Sequence, residues 1–210
     1  MHQSLSLPAL LVALTLPASA ATTLVKLDFG TAALATGYTQ YSAADTSVTS
    51  NGITIALTSS ATVGNGSKAS STLSPGDLYR DYVATPFNGA SGATIDLTLT
   101  GFTEDGTLDF TVFLDYNNSL ALPQSLRFKE STAASFTTIT TAANRPGSYG
   151  PSTPFDVESG KSYIIRLQEN GNANLAYISG LDLSYDPIPE PSTALLGGLG
   201  LLALLRRRRF

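Results

Sequence analysis

Tyr116, Asn117 and Asn118 stand together in a loop-like stretch, Tyr149 falls in another, and Tyr38 lies early in the chain. An aromatic ring can cover the apolar face of a pyranose while neighbouring amides and carboxylates take its hydroxyls. These five residues are therefore the candidate sugar contacts. The plainer alternative for each tyrosine is to cap the core or line a strand edge. Arg80 and Asp81 read as a structural ion pair rather than a ligand clamp.

Catalysis has few tools here. Cysteine is absent, and the single histidine is His2, at the extreme N-terminus. Residues 21–186 thus offer no imidazole and no thiolate, which excludes Ser-His-Asp and Cys-His chemistry, His- or Cys-ligated zinc and haem ligation in their usual forms. Carboxylates could still serve glycoside hydrolysis. Yet Glu104 and Asp105 read as a turn, Asp96 and Asp109 as outward strand positions, and nothing marks two carboxylates with divergent environments. The expectation is a non-enzyme, with no catalytic residue.

The chain ends in three distinct pieces. Pro189-Glu190-Pro191 is followed by the uncharged run Ser192 to Leu205 and then by Arg206, Arg207, Arg208 and Arg209. As a helix the apolar run would be ~21 Å long, short against ~30 Å of hydrocarbon. Snorkelling arginines and local thinning of the bilayer make up part of the difference. The arginines keep that end cytoplasmic and place the body of the protein across the membrane. This tail resembles the PEP-CTERM sorting signal of Gram-negative, exopolysaccharide-producing bacteria, over residues 187–210. The resemblance implies recognition and processing by exosortase, transient insertion in the inner membrane, and delivery to the cell surface or extracellular matrix. The mature product would lose the helix.

The N-terminus carries the matching export signal. Leu5 to Leu16 has the length of a secretory h-region, and Ala18-Ser19-Ala20 is an A-x-A cleavage site. Export through the Sec translocon is expected, although the n-region holds His2 in place of Lys or Arg. The expected organisation is 1–20 signal peptide, 21–186 extracellular domain and 187–210 sorting signal. Residues 21–186 suffice for one domain with a sizeable core and no disulfides. They carry eight Lys and Arg against fifteen Asp and Glu, a net charge of −7. An acidic domain of this kind lacks the basic stripe that nucleic acid requires.

The pattern within that domain is almost all β. Ile53, Ile55 and Leu57 alternate with smaller residues, as do Ile95, Leu97 and Leu99, then Leu108, Phe110, Val112 and Leu114, then Tyr163, Ile165 and Leu167. A period of two gives each strand one buried face. Asn51-Gly52, Asn65-Gly66, Asn88-Gly89, Asp105-Gly106, Ser159-Gly160 and Asn170-Gly171 read as turns, with Glu104-Asp105-Gly106 the strongest hairpin. Residues 74–82 have room for a single helical turn. The predicted fold is an antiparallel β-sandwich or jelly roll, with one hydrophobic helix at the C-terminus.

Three segments carry a second resemblance. Leu27-Asp28-Phe29-Gly30-Thr31 with Gly37-Tyr38-Thr39, then Leu78-Tyr79-Arg80-Asp81-Tyr82-Val83, then Ala176-Tyr177-Ile178-Ser179-Gly180-Leu181-Asp182-Leu183, look like segments of galactose-binding-like and malectin-like jelly rolls. Ser179 stands where these usually carry Asn, and the Gly-Tyr-Gly-Trp piece is missing. The resemblance implies a carbohydrate-associated module. It also implies a structural Ca²⁺, for which Asp28 and Asp182 would supply carboxylate oxygens if the first and last strands pair. The functional expectation is a surface or matrix protein associated with exopolysaccharide. The alternative is a structural biofilm-matrix protein with no small ligand.

Overall fold

The computed structural model describes residues 22–32, 34–67, 77–85, 92–115, 124–142, 147–170 and 175–188, without the side chains of Asp77, Thr141 and Ala142. The chain divides into two compact units, and the one at 21–188 holds all of the described residues. The C-terminal apolar segment, Asn88-Gly89 and Gly171 lie outside them. Among the described residues no helix is long and apolar enough to cross a membrane.

The unit is all β. One sheet runs in the order β11 (Gly147–Tyr149), β8 (Gly106–Leu114), β15 (Gly180–Pro187), β1 (Thr23–Phe29) and β2 (Thr39–Tyr41), with β12 (Phe155–Val157) also on β8. The opposing sheet runs β10 (Thr137–Ala142), β9 (Gln124–Glu130), β13 (Tyr163–Glu169), β7 (Thr94–Thr100), β4 (Ile53–Ser59) and β3 (Ser47–Ser50). A small ribbon joins β14 (Tyr177–Ile178), β6 (Asp81–Ala84) and β5 (Gly64–Ser67). Pairing is antiparallel throughout, except that β2 runs parallel to β1. The first and last long strands do pair, with Lys26 opposite Asp182 and Asp28 opposite Gly180.

The alternation read from the sequence becomes the core. Val25, Leu27, Leu108, Val112, Leu181 and Leu183 of the first sheet and Ile55, Ile95, Leu97, Leu99, Ile165 and Leu167 of the second belong to one buried cluster. Aromatic rings join the two layers. Phe110 on β8 meets Phe128 on β9 at 5.7 Å between centroids, and Phe102 meets both Tyr185 and Tyr163 edge-on. From the edge strand β2 the Tyr41 hydroxyl accepts the backbone N–H of Leu57 at 3.0 Å. Among the described residues the core runs from Val25 to Tyr185, inside the compact 21–188 unit.

Asn51-Gly52 is a true hairpin turn. Both residues have positive φ, 51° and 85°, the signature of the type I′ turn that matches strand twist, and β3 pairs with β4 across it. Two turn readings need correction. Glu104-Asp105-Gly106 is not a hairpin: β7 is already hydrogen-bonded on both sides, by β4 and β13, so β8 crosses to the other sheet. Residues 101–105 form that crossover, where Asp105 accepts the N–H groups of Ser159 and Ile188. Asn65-Gly66 is not a turn either, but lies within β5. Gly66 sits opposite Tyr82, and a Cβ there would be 2.2 Å from the Tyr82 ring, so this glycine serves close approach rather than a bend. The helical turn expected near residues 74–82 is a single 3-10 turn at Asp77–Tyr79.

Burial raises the tyrosine hydroxyls. Tyr79 and Tyr177 are pushed up to about 12, chiefly by desolvation, and Tyr41, Tyr163 and Tyr185 move the same way. An unfolded chain releases these protons near pH 10, while the folded domain still holds them. Their contribution to stability is therefore complete below pH 10 and is lost as pH rises through about 12. Urea titrations from pH 7 to 11 should show a midpoint that falls only above pH 10, with tyrosinate absorbance rising together with unfolding. Tyrosinate forming near pH 10 in a domain that stays folded would contradict this.

Candidate functional site

On the outer face of the first sheet, β1, β15 and β8 lie side by side, and their register sets out two rows of side chains. Lys26, Asp182 and Thr111 form one row, and Leu24, Ser184 and Asp109 the other. Each is the outward partner of a core residue, by the two-residue period of a strand. Together they line a shallow trough of about 250 Å³. One ammonium, two carboxylates and two hydroxyls thus face solvent around an exposed Leu24. The array holds both donors and acceptors, and its formal charge is −1.

Tyr38 stands beside this array. The Lys26 ammonium lies 5.2 Å from its ring centroid, and the Asp182 carboxylate stands close to its hydroxyl. Desolvation and the nearby Asp182 and Asp28 carboxylates push the Tyr38 hydroxyl well above the usual phenol range. Lys26 also bridges to Asp182 at 3.6 Å. The three groups hold one another in place, so the ring is oriented before any ligand arrives.

The residues beneath Tyr38 explain the segments that drew attention in the sequence. A satellite cluster of Ala35, Leu78, Tyr79 and Phe113 supports it. Asp28 is buried and its Oδ2 accepts the Ala35 N–H at 2.6 Å. Asp81, also buried, accepts the Ala32 N–H at 2.7 Å. Gly30 (φ 133°) passes so close that a Cβ would sit 2.5 Å from Asp81 Oδ2. Gly180 makes room for Leu78 in the same way, and the Tyr79 ring meets Phe113 edge-on at 5.6 Å. Ser179, buried at the same corner, hydrogen-bonds the backbone N–H and carbonyl of Asp115 through its hydroxyl. These residues act as scaffold, and they position Tyr38 at the trough's end.

The other sequence candidates fall elsewhere. Tyr149 is half-buried on β11 opposite Val112, packed against the main core, three strands from Tyr38. Tyr116, Asn117 and Asn118 lie outside the described residues, as do Pro189, Glu190, Pro191 and Arg206 to Arg209. Asp28 and Asp182 share the outer face as diagonal neighbours. A calcium cage takes six to eight oxygens. Here Asp28 already accepts a backbone N–H and Asp182 faces an ammonium and a phenol, and among the described residues no group of three or more acidic, His or Cys side chains could hold a metal. Sequence reasoning passed over Lys26, Thr111 and Ser184. The available signal was the register itself: once β1, β15 and β8 are neighbours, the residues between the core positions must share a face.

The last strand runs to Pro187, and the Ile188 N–H is bonded to the Asp105 carbonyl. Residues 187–209 match the PEP-CTERM protein-sorting motif. That motif directs exosortase-mediated sorting of an exported protein toward the cell envelope and surface. No curated protein matches the chain. Among solved structures it is similar to protein YxiM of Bacillus subtilis, at 15% identity and TM-score 0.45 over 79% of this chain, which spans 40% of that protein's length. It is also similar to Xyl-CBM35, solved with a glucuronic acid-containing disaccharide, at 14% identity and TM-score 0.39, covering 60% of this chain and 84% of that one. A third is the family 32 carbohydrate-binding module of NanJ from C. perfringens, solved with galactose, at 16% identity and TM-score 0.34, covering 66% and 98%.

Proposed function

We propose that this is a non-catalytic protein of a Gram-negative bacterium, exported through the Sec translocon and held transiently in the inner membrane by its C-terminal segment. Exosortase then releases it to the surface or matrix, where the β-domain associates with exopolysaccharide. The observation that carries the binding part is the trough: a pre-oriented tyrosine next to two rows of hydroxyls, carboxylates and one ammonium. Such an array suits a hydroxyl-rich, uncharged stretch of glycan, whose hydroxyls both donate and accept. Against catalysis, the Asp182 carboxylate is paired with the Lys26 ammonium at 3.6 Å and Asp109 accepts the Phe110 N–H. A general acid needs the opposite arrangement.

The test is a glycan array probed with the 21–188 unit and its Tyr38→Ala variant. Binding to neutral polysaccharides, weakened about tenfold or more by Tyr38→Ala, is the expected result; one lost stacking and hydrogen-bonding residue at a site centre has that size. Retention of no neutral polymer by the parent domain would leave a purely structural matrix protein as the reading.

A further inference from the structure

The opposite face of the sandwich has a different electrostatic character. On the outer face of the second sheet, Arg127 of β9 lies directly opposite Arg166 of β13, which in turn lies opposite Asp96 of β7. Arg166 is held by Asp96 through two hydrogen bonds, Nε at 2.7 Å and Nη2 at 2.6 Å. That fork-to-carboxylate geometry commits the Asp96 carboxylate to Arg166. Arg127 therefore faces a cation. Like charges directly opposite destabilise an antiparallel pair, and a face built only for stability would place a carboxylate there. The Arg127 Nε is buried without a hydrogen-bond partner among the described residues. Lys129, two residues along the same strand, donates to the Ala133 carbonyl and has no carboxylate partner among the described residues.

Phe136, just before β10, organises the group. Its ring lies 4.9 Å from the Lys129 ammonium and 4.2 Å from the Arg166 guanidinium. Cation–π contact of this kind holds long, flexible basic side chains over the sheet instead of letting them sweep through solvent. Among the described residues the result is three cations against one carboxylate on a face of a domain whose net charge is −7. Elsewhere, Lys26 and Lys161 are bridged to acidic residues.

We infer that this face, centred on Arg127, Lys129 and Phe136, is a second binding surface, whose ligand is a polysaccharide bearing carboxylates. Guanidinium and ammonium recognise carboxylate by charge-assisted hydrogen bonds, and a half-exposed aromatic ring offers contact to sugar carbons. A flat sheet face suits an extended polymer better than an enclosed small ligand. The trough and this basic face lie on opposite sheets, so one domain could join two strands of matrix. The inference stands on residues separate from the trough.

The experiment is retention of the 21–188 unit by polygalacturonate, by the same polymer after carboxyl reduction, and by duplex DNA, at 20 and 200 mM salt. Polygalacturonate should retain the domain at low salt and lose it at high salt, as exposed ion pairs are screened. The carboxyl-reduced polymer should lose this component. The Arg127→Gln, Lys129→Gln double variant should bind about tenfold more weakly, roughly what two surface ion pairs supply. Its urea midpoint should be unchanged or higher, because a like-charge pair is relieved. Tyr38→Ala should leave polygalacturonate binding intact, which separates this surface from the trough. Binding insensitive to salt or to the double variant, or DNA binding as tight as polygalacturonate, would overturn the assignment.

Discussion

Replacing Gly30 by valine should cost the domain about 2–6 kcal/mol. Two effects add. The residue has φ 133°, a backbone conformation that costs an L-residue with a side chain ~1–3 kcal/mol. A Cβ would also stand 2.5 Å from Asp81 Oδ2 and 2.6 Å from Asp81 Cβ, an overlap worth a further ~1–3 kcal/mol. Asp81 cannot retreat without abandoning the Ala32 N–H in a buried site. Against a typical stability of ~5–15 kcal/mol, the loss should lower the urea midpoint by about 1 M or more. Because the same turn leads to Tyr38, glycan binding should fail together with the fold. A Gly30→Val protein with parental stability would mean that the Asp28 to Asp81 scaffold is not as described.

Phe128→Ala should cost about 3–5 kcal/mol, the range for deleting a large buried ring. Phe128 stacks on Phe155 at 4.2 Å and on Tyr163 at 5.6 Å, and meets Phe110 across the layers. It is the point where β12, β13 and β8 share one aromatic seam, and no neighbour can fill the space without leaving its own contacts. Phe128 also separates Arg127 from Lys129 on β9. A partly folded variant should therefore lose the polyanion-binding surface before the trough on the far sheet. Urea unfolding checks the first statement, and the two retention assays check the second. A loss below ~1 kcal/mol would show that the seam does not hold the layers together.

Much of the fold was legible because the strands alternate strongly. Leu108, Phe110, Val112 and Leu114 could face inward only if β8 were a strand, and Asn51-Gly52 could favour little else than a tight hairpin. What was not legible depended on partners distant in sequence. Asp105-Gly106 has the chemistry of a hairpin turn, yet both edges of β7 were taken, a fact that belongs to β4 and β13. Gly66 looked like a bend until Tyr82 was placed across from it.

The site divides in the same way. Tyr38, Asp28 and Asp182 could be singled out by residue type, and pairing of the first and last strands does bring them to one region. Lys26, Thr111 and Ser184 are ordinary residues whose significance comes from cross-strand register. The Arg127–Arg166 pair is invisible in the chain for the same reason, since only the β9–β13 register makes two guanidiniums neighbours.

The central claim is that the outer face of β1, β15 and β8 takes sugar. The most direct measurement is amide chemical-shift mapping of the 21–188 unit during titration with neutral oligosaccharides chosen from the array. The prediction is saturable shifts concentrated at Lys26, Tyr38, Thr111, Asp182 and Ser184, with the second sheet unmoved. Saturable shifts confined to any other surface, or none with any neutral sugar, would contradict it.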